Sequence, residues 1–315
     1  MIDPSPNQSG PNPNTAAQSP AARSRSTEPD MDLPPGPEQR VVLITGASSG
    51  IGLAAALQAA ERGDRLALLG RNAETLESVE NLCQQRGATA VLVLPADVTD
   101  AAAVQAAVDR VLATWDRIDV TLQSAGVAGY GLFTQMPAEV FDRIIATNLL
   151  GTANVIRSVL PSLRARDSGT VIVMGSIIGY IATPMMSAYT TSKWAMRGLV
   201  RTLQVENRDR PGVSICYLAP AGVDTPIYRR AANYSDRNGQ PPPPVLSPEK
   251  VAAAALRLAD RPRRSEQVGA ANLMVMTGFA LLPGVYDRLV TPLFRRFATR
   301  GGRVGAGVPG NLFSG

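Results

Sequence analysis

Histidine is absent from the 315 residues, and cysteine occurs only at Cys83 and Cys216. Without imidazole there can be no Ser-His-Asp or Cys-His nucleophile, no histidine zinc site and no side chain that titrates unaided near neutrality. Two cysteines are too few for a disulfide scaffold or an all-cysteine zinc site, so no metal is expected. Lysine is equally scarce. Of 31 basic residues only Lys193 and Lys250 are lysine, leaving 29 arginines. Aromatic residues make up 5% of the chain, and the arginines are scattered, so a net charge of +5 does not point to a nucleic-acid partner. Acid–base chemistry must therefore come from carboxylates, tyrosine, lysine or a cofactor.

What is present is unevenly distributed. Residues 1–39 hold nine of the 25 prolines and almost no large apolar side chains, which predicts a disordered tail. Its start has neither the basic nor the apolar run of a secretory signal, and Met31 offers a second initiation point. From Val41 onward, short apolar runs alternate with stretches of helical period. The runs are Val41–Thr45, Leu66–Leu69, Ala90–Leu94, Val120–Gln123, Val171–Met174 and Val213–Leu218. The helical stretches between them are Ile51–Arg62, Ala73–Arg86, Ala101–Trp115, Ala138–Arg166 and Ala188–Arg208. Strands that are apolar throughout, each followed by a helix, predict an α/β fold: a single Rossmann-type doubly wound parallel sheet with helices on both faces. The domain is expected over residues 40–280, with an extension over 281–315. Residues 224–248, which include Pro241–Pro244, break the alternation and read as a lid.

Thr45-Gly46-Ala47-Ser48-Ser49-Gly50-Ile51-Gly52 follows the first strand and opens the first helix. Glycines there allow a tight turn and let backbone amides approach a pyrophosphate at the helix N-terminus. The second strand ends Leu69-Gly70-Arg71-Asn72. It lacks the carboxylate that would accept a ribose 2′-hydroxyl, and Arg71 offers a fork for a 2′-phosphate, so NADP(H) is favoured over NAD(H). The alternative for Arg71 is an ordinary surface arginine. Tyr189 and Lys193 are four residues apart, a pairing expected by chance about 0.04 times from 7 tyrosines and 2 lysines. On a helix they share a face, where the ammonium should stabilise a phenolate that otherwise forms only near pH ~10.

The Gly-x3-Gly-x-Gly spacing resembles the short-chain dehydrogenase/reductase family, and further landmarks follow in the expected order over about residues 40–260. Asp97 and Val98 match the residues beside the adenine. Ser124-Ala125-Gly126 stands where the family usually has Asn-Ala-Gly, a departure that predicts a less firmly held loop. Asn148, Ser176, Tyr189 and Lys193 match the catalytic set, with Ser176 ending the fifth strand. Pro220-Ala221-Gly222, followed by Val223 and Thr225, closes the sixth strand at the cofactor. The resemblance implies that Gly46, Ser48, Ser49, Gly50, Ile51 and Gly52 hold the dinucleotide. It implies that Lys193 binds the nicotinamide ribose and Tyr189 exchanges a proton with a carbonyl or alcohol oxygen. Ser176 would hold that oxygen, and Asn148 would support a water relay.

The expected activity is hydride transfer between a nicotinamide and a secondary alcohol/ketone pair in a small, hydrophobic (lipid- or steroid-like) substrate. Val127, Tyr130, Phe133, Ile177, Ile178, Tyr180, Met185 and Met186 are candidate pocket residues, with core packing as their alternative. One rival reading is a catalytically silent dinucleotide-binding sensor or scaffold. The other is an epimerase or dehydratase, a branch that opens with a different glycine spacing. The resemblance further implies a cytoplasmic homodimer or homotetramer formed through the two long helices. Val268 to Tyr286 is uncharged. Asn272–Thr277 is expected to be the last strand and Leu281–Phe297 an arginine-edged helix that caps the pocket, packs in an oligomer or touches a membrane surface.

Overall fold

The computed structural model of the chain describes residues 39–301 and 307–313, so the proline-rich tail expected over 1–39 lies almost wholly outside the described residues. Seven parallel strands form the central sheet: β1 (Val41–Thr45), β2 (Arg65–Gly70), β3 (Ala90–Pro95), β4 (Val120–Gln123), β5 (Gly169–Met174), β6 (Val213–Pro220) and β7 (Ser265–Val268). Their spatial order is β7-β6-β5-β4-β1-β2-β3. The chain winds outward in both directions from β1, and the crevice where the order reverses lies beyond the carboxyl ends of β1 and β4.

Every β1 residue is buried, which is why the strand shows no polar alternation. Val42 and Ile44 face one helical layer, with α1 (Gly50–Ala60), α2 (Ala73–Gln85) and α7 (Pro248–Asp260). Val41 and Leu43 face the other, with α3 (Ala101–Trp115), α5 (Gly151–Arg166) and α6 (Ser187–Glu206). Local chemistry fixes the helix starts. Asn72 caps α2 through Thr75, Asp100 caps α3 through Ala102 and Ala103, and Ser247 caps α7 ahead of Pro248.

The expected helix over Ala138–Arg166 is continuous but not uniform. Between α4 (Ala138–Ile145) and α5, residues Ala146–Leu150 widen into a π-turn that contains Asn148. Such insertions cluster at functional sites.

The carboxyl-terminal part departs from expectation. The seventh strand is Ser265–Val268, and Asn272–Thr277 is helical, within α8 (Asn272–Leu281). The strand is short because Gly269 adopts φ +144° and turns the chain out of the sheet. Asn272 is fully buried and donates to the Ala219 and Gln267 side of that turn. Pro283 then starts α9 (Pro283–Leu293), so the expected helix Leu281–Phe297 begins two residues late and ends in a π-turn over Phe294–Ala298. The proposed lid at 224–248 is not a structureless loop. It carries a helical turn at Ile227–Arg230, a strand pair between Gly129–Tyr130 and Ala232–Asn233, and another between Arg237–Gly239 and Thr299–Gly301.

Candidate active site

Gly46 is left-handed (φ +66°), and a Cβ there would come within 2.9 Å of the Ala125 backbone. At Gly52 a Cβ would run into the Gly46 carbonyl oxygen, so the turn closes only with hydrogen at both positions. The N-cap Ser49 makes no side-chain capping bond, leaving the amides of the first α1 turn for another acceptor, and Ser48, Gly50 and Ile51 line a cavity of about 1150 Å³. An uncapped helix start behind a glycine turn suits a pyrophosphate, so this cradle fits a dinucleotide.

The turn is held by residues not singled out in the sequence. Thr45 donates its hydroxyl to Gln123 and accepts the N–H groups of Ser124 and Ala125, each at 3.1 Å. Gln123 in turn donates to Thr152 at 3.1 Å. The Ser124-Ala125-Gly126 loop is therefore anchored through its backbone, and the absence of asparagine at position 124 does not leave it untethered. Thr45 stands directly before Gly46, but nothing in the pattern reveals which groups its hydroxyl meets.

Asp97 accepts the Thr99 N–H and hydroxyl, both at 2.9 Å, and pairs with Arg143 at 2.5 Å. Burial alone would raise its pKa, but these bonds outweigh it and hold the carboxyl below the ordinary range. Val98, Gly126, Pro220, Gly222, Val223 and Thr225 all border the same cavity. Gly222 packs so closely on the Pro242 carbonyl that the proline run forms one wall. Arg71 also borders the cavity, and its guanidinium donates to the backbone carbonyls of Asn311 (2.9 Å) and Leu312 (3.2 Å).

Ser176 does not end β5. That strand stops at Met174, and Ser176 caps the turn Ile177–Gly179, accepting the Ile178 N–H at 3.2 Å. Tyr189 and Lys193 lie on the first turns of α6 and face the cavity with Ser176. The expected lowering of the Tyr189 pKa is not found. Burial pushes the phenol up to about 12, opposed by a hydrogen bond from Ser176. Lys193 is buried, donates to the Met174 carbonyl at 2.8 Å and lies 5.6 Å from the Tyr189 ring centroid. Burial lowers its pKa to about 8. Loss of water outweighs mutual stabilisation in the chain by itself.

Asn148 accepts the Val127 N–H at 2.8 Å and donates to the Val127 carbonyl and the Ser192 hydroxyl, both at 2.9 Å. Its amide is committed to fixing the backbone after β4 and to bracing α6 through Ser192.

Of the candidate pocket residues, Val127, Tyr130, Ile177, Ile178 and Met186 line the cavity. Phe133, Tyr180 and Met185 do not. Phe133 is exposed against Phe141, Tyr180 packs on Tyr217 and Arg197, and Met185, left-handed at φ +64°, packs behind the wall against the cluster of Tyr130 and Met186. Their place is taken by α8, α9 and the residues that join and follow them, which contribute Val275, Leu282, Val285, Leu289 and Phe294. Tyr286 holds this helix pair down, donating to the Ala182 carbonyl at 2.7 Å and meeting Phe279 edge-on.

Residues 40–235 match the family model described as short chain dehydrogenase. The chain is 34% identical over 194 residues to mouse Dehydrogenase/reductase SDR family member 7, a match covering 61% of this chain and 57% of that protein. It is 32% identical over 259 residues to the uncharacterized oxidoreductase YxnA of Bacillus subtilis, covering 80% and 72%. The alcohol dehydrogenase of the archaeon Thermococcus sibiricus, solved with 5-hydroxy-NADP, superposes with a TM-score of 0.64 at 32% identity, covering 73% of this chain and 95% of that one.

Proposed function

Because the chain belongs to the short-chain dehydrogenase family, we propose that it is an NADP(H)-dependent oxidoreductase that interconverts a secondary alcohol and a ketone. The observation that carries this reading is the convergence of Ser176, Tyr189 and Lys193 on the cavity that the glycine turn opens into. When bound, the nicotinamide supplies or accepts the hydride. Tyr189, protonated through neutral pH, gives its phenolic proton to the carbonyl oxygen in reduction and recovers one in oxidation. Ser176 redirects its hydroxyl hydrogen from the phenol to the same oxygen, where negative charge develops. Lys193 is held against the Met174 carbonyl and keeps its ammonium beside the phenol. Gly46, Ser48, Ser49, Gly50, Ile51, Gly52, Asp97 and Val98 would hold the dinucleotide. No acidic side chain stands at the tip of β2, and the Arg71 guanidinium supports NADP(H).

The apolar lining from Val127, Ile177, Met186, α8 and α9 supports a hydrophobic ketone as substrate. The helix pair exposes Leu273, Met274, Leu281 and Leu282 beside Arg288, Arg295 and Arg296, which supports contact of a cytoplasmic protein with an anionic membrane surface. The groove between α5 and α6, lined by Ile156, Leu160, Leu199 and Leu203, supports assembly into a dimer or tetramer.

A panel of hydrophobic ketones, followed by loss of reduced-nicotinamide absorbance with each cofactor, tests the reading. Tyr189→Phe is expected to lower kcat by about 10²–10⁴-fold with dinucleotide binding retained. Full turnover in that variant would overturn Tyr189 as the proton donor, whereas dinucleotide binding without turnover on any carbonyl would replace the enzyme with the silent binder.

A further inference from the structure

The last described residues, 307–313, cross the rim of the cofactor cavity, where Gly310 and Asn311 form part of the wall. One end is stitched to the lid. Asn233 donates to the Val308 carbonyl at 2.7 Å and accepts back from its N–H at 3.1 Å, and Asn311 donates to the Arg230 carbonyl at 2.9 Å. Gly310, at φ +59°, lets the chain pass tightly over that carbonyl. The other end is a plug: Leu312 is fully buried among Val127, Met136, Val140 and Ile144.

Beside this plug two guanidinium groups meet one oxygen. The Leu312 carbonyl accepts from Arg143 Nε at 3.0 Å and from Arg71 Nη1 at 3.2 Å, while the Asn311 carbonyl accepts from Arg71 Nη2 at 2.9 Å. All three Arg143 nitrogens make a bond, the other two to Thr99 (3.0 Å) and Asp97 (2.5 Å). Arg71 makes fewer. The two carbonyls use two of the five N–H groups of a guanidinium, leaving three for an anion. Asp97 offsets the Arg143 charge, so the two cations can stand together without a large repulsion.

We propose that this C-terminal segment is the positioning device of the cofactor's 2′-phosphate subsite, with Leu312 as its anchor and Arg143 as its clamp, holding the Arg71 guanidinium at the cavity. The inference rests on the NADP(H) reading above. Arginine on its own samples many rotamers. Two carbonyls fixed by a buried leucine select one before the ligand arrives, so less ordering remains to be done on binding. Leu312 and Arg143 are thus positioning residues that act through Arg71.

Calorimetric titration with 2′,5′-ADP and 5′-ADP tests this without turnover. The full-length chain is expected to prefer 2′,5′-ADP, and Arg71→Ala to abolish the preference. Leu312→Ala, and a chain lacking residues 308–315, are expected to lose roughly tenfold in 2′,5′-ADP affinity while 5′-ADP changes by less than about twofold. Leu312→Met, which refills the plug, restores the preference. With NADPH, Leu312→Ala and the truncated chain raise KM and leave kcat unchanged, and thermal melts verify that each is folded. Equal weakening of both nucleotides, an unchanged preference, or tighter 2′,5′-ADP binding after truncation overturns the positioning role alone. A full-length chain with no preference overturns the NADP(H) reading and this inference with it.

Discussion

Lys193 is one of two lysines in the chain, and its surroundings decide how it titrates. Burial lowers its folded pKa to about 8, below the ordinary 10.5. The folded state therefore releases this proton before the unfolded state does, and its contribution to stability rises with pH between about 8 and 10.5. Tyr189, raised to about 12 by burial, acts oppositely: the unfolded phenol ionises first, and stability falls above about pH 10. Thermal melts of the ligand-free chain and of Lys193→Met, compared from pH 7.5 to 10, are expected to show a pH-dependent gain in the native chain that the variant lacks. Equal pH dependence would mean that Lys193 is not held in a dry environment. In the reaction proposed above, the same protonated phenol would favour carbonyl reduction at neutral pH, with oxidation aided by alkali. The motif identified the pair, but not the balance of forces on it. Spacing reports which side chains share a helix face, whereas the pKa depends on how much water the surrounding fold removes.

At the level of elements, the site is a junction of strand ends. Thr45 closes β1 and Gln123 closes β4, and their hydroxyl–amide contact joins the two sides of the crevice. Replacing Thr45 with valine keeps the shape but strands the Ser124 and Ala125 N–H groups and the Gln123 carbonyl oxygen. A loss of about 2–4 kcal/mol is expected from denaturant unfolding, with weaker dinucleotide binding. Unchanged stability would show that water satisfies those groups. The strands and the helices around this junction were legible from their apolar runs and caps, because a buried parallel strand leaves no polar face. The π-turn at Asn148 was not, since one extra residue per turn barely disturbs a 3.6-residue period. Asn272–Thr277 was misread for a related reason: an uncharged run fits a buried strand or a helix equally well. The turn at Gly269 and the buried Asn272 settled it.

At the level of the whole molecule, the described residues include no helix long and apolar enough to cross a membrane. Yet α8 and α9 line the cavity on one side and expose Leu273 and Leu281, each 72% accessible, on the other. On the proposed reading, in which the substrate is hydrophobic and this face meets a membrane, the substrate would reach the cavity along this pair. Vesicles containing anionic phospholipid are expected to sediment the native chain in low salt, and Leu273→Glu with Leu281→Glu to abolish this while preserving turnover of a soluble ketone. Sedimentation unaffected by the substitutions or by salt would exclude this face as the contact.

The absence of histidine, the glycine spacing and the Tyr189–Lys193 pair determined the class of chemistry, and the alternation of apolar runs with helical stretches determined the course of the chain through the sheet. These are matters of residue type and local period, which the sequence states directly. The tertiary structure alone decided what fills the pocket wall and what steadies Arg71. Leu312 lies 241 positions from Arg71, and no local pattern couples them; only the closing of the last segment across the cavity brings its carbonyl to that guanidinium.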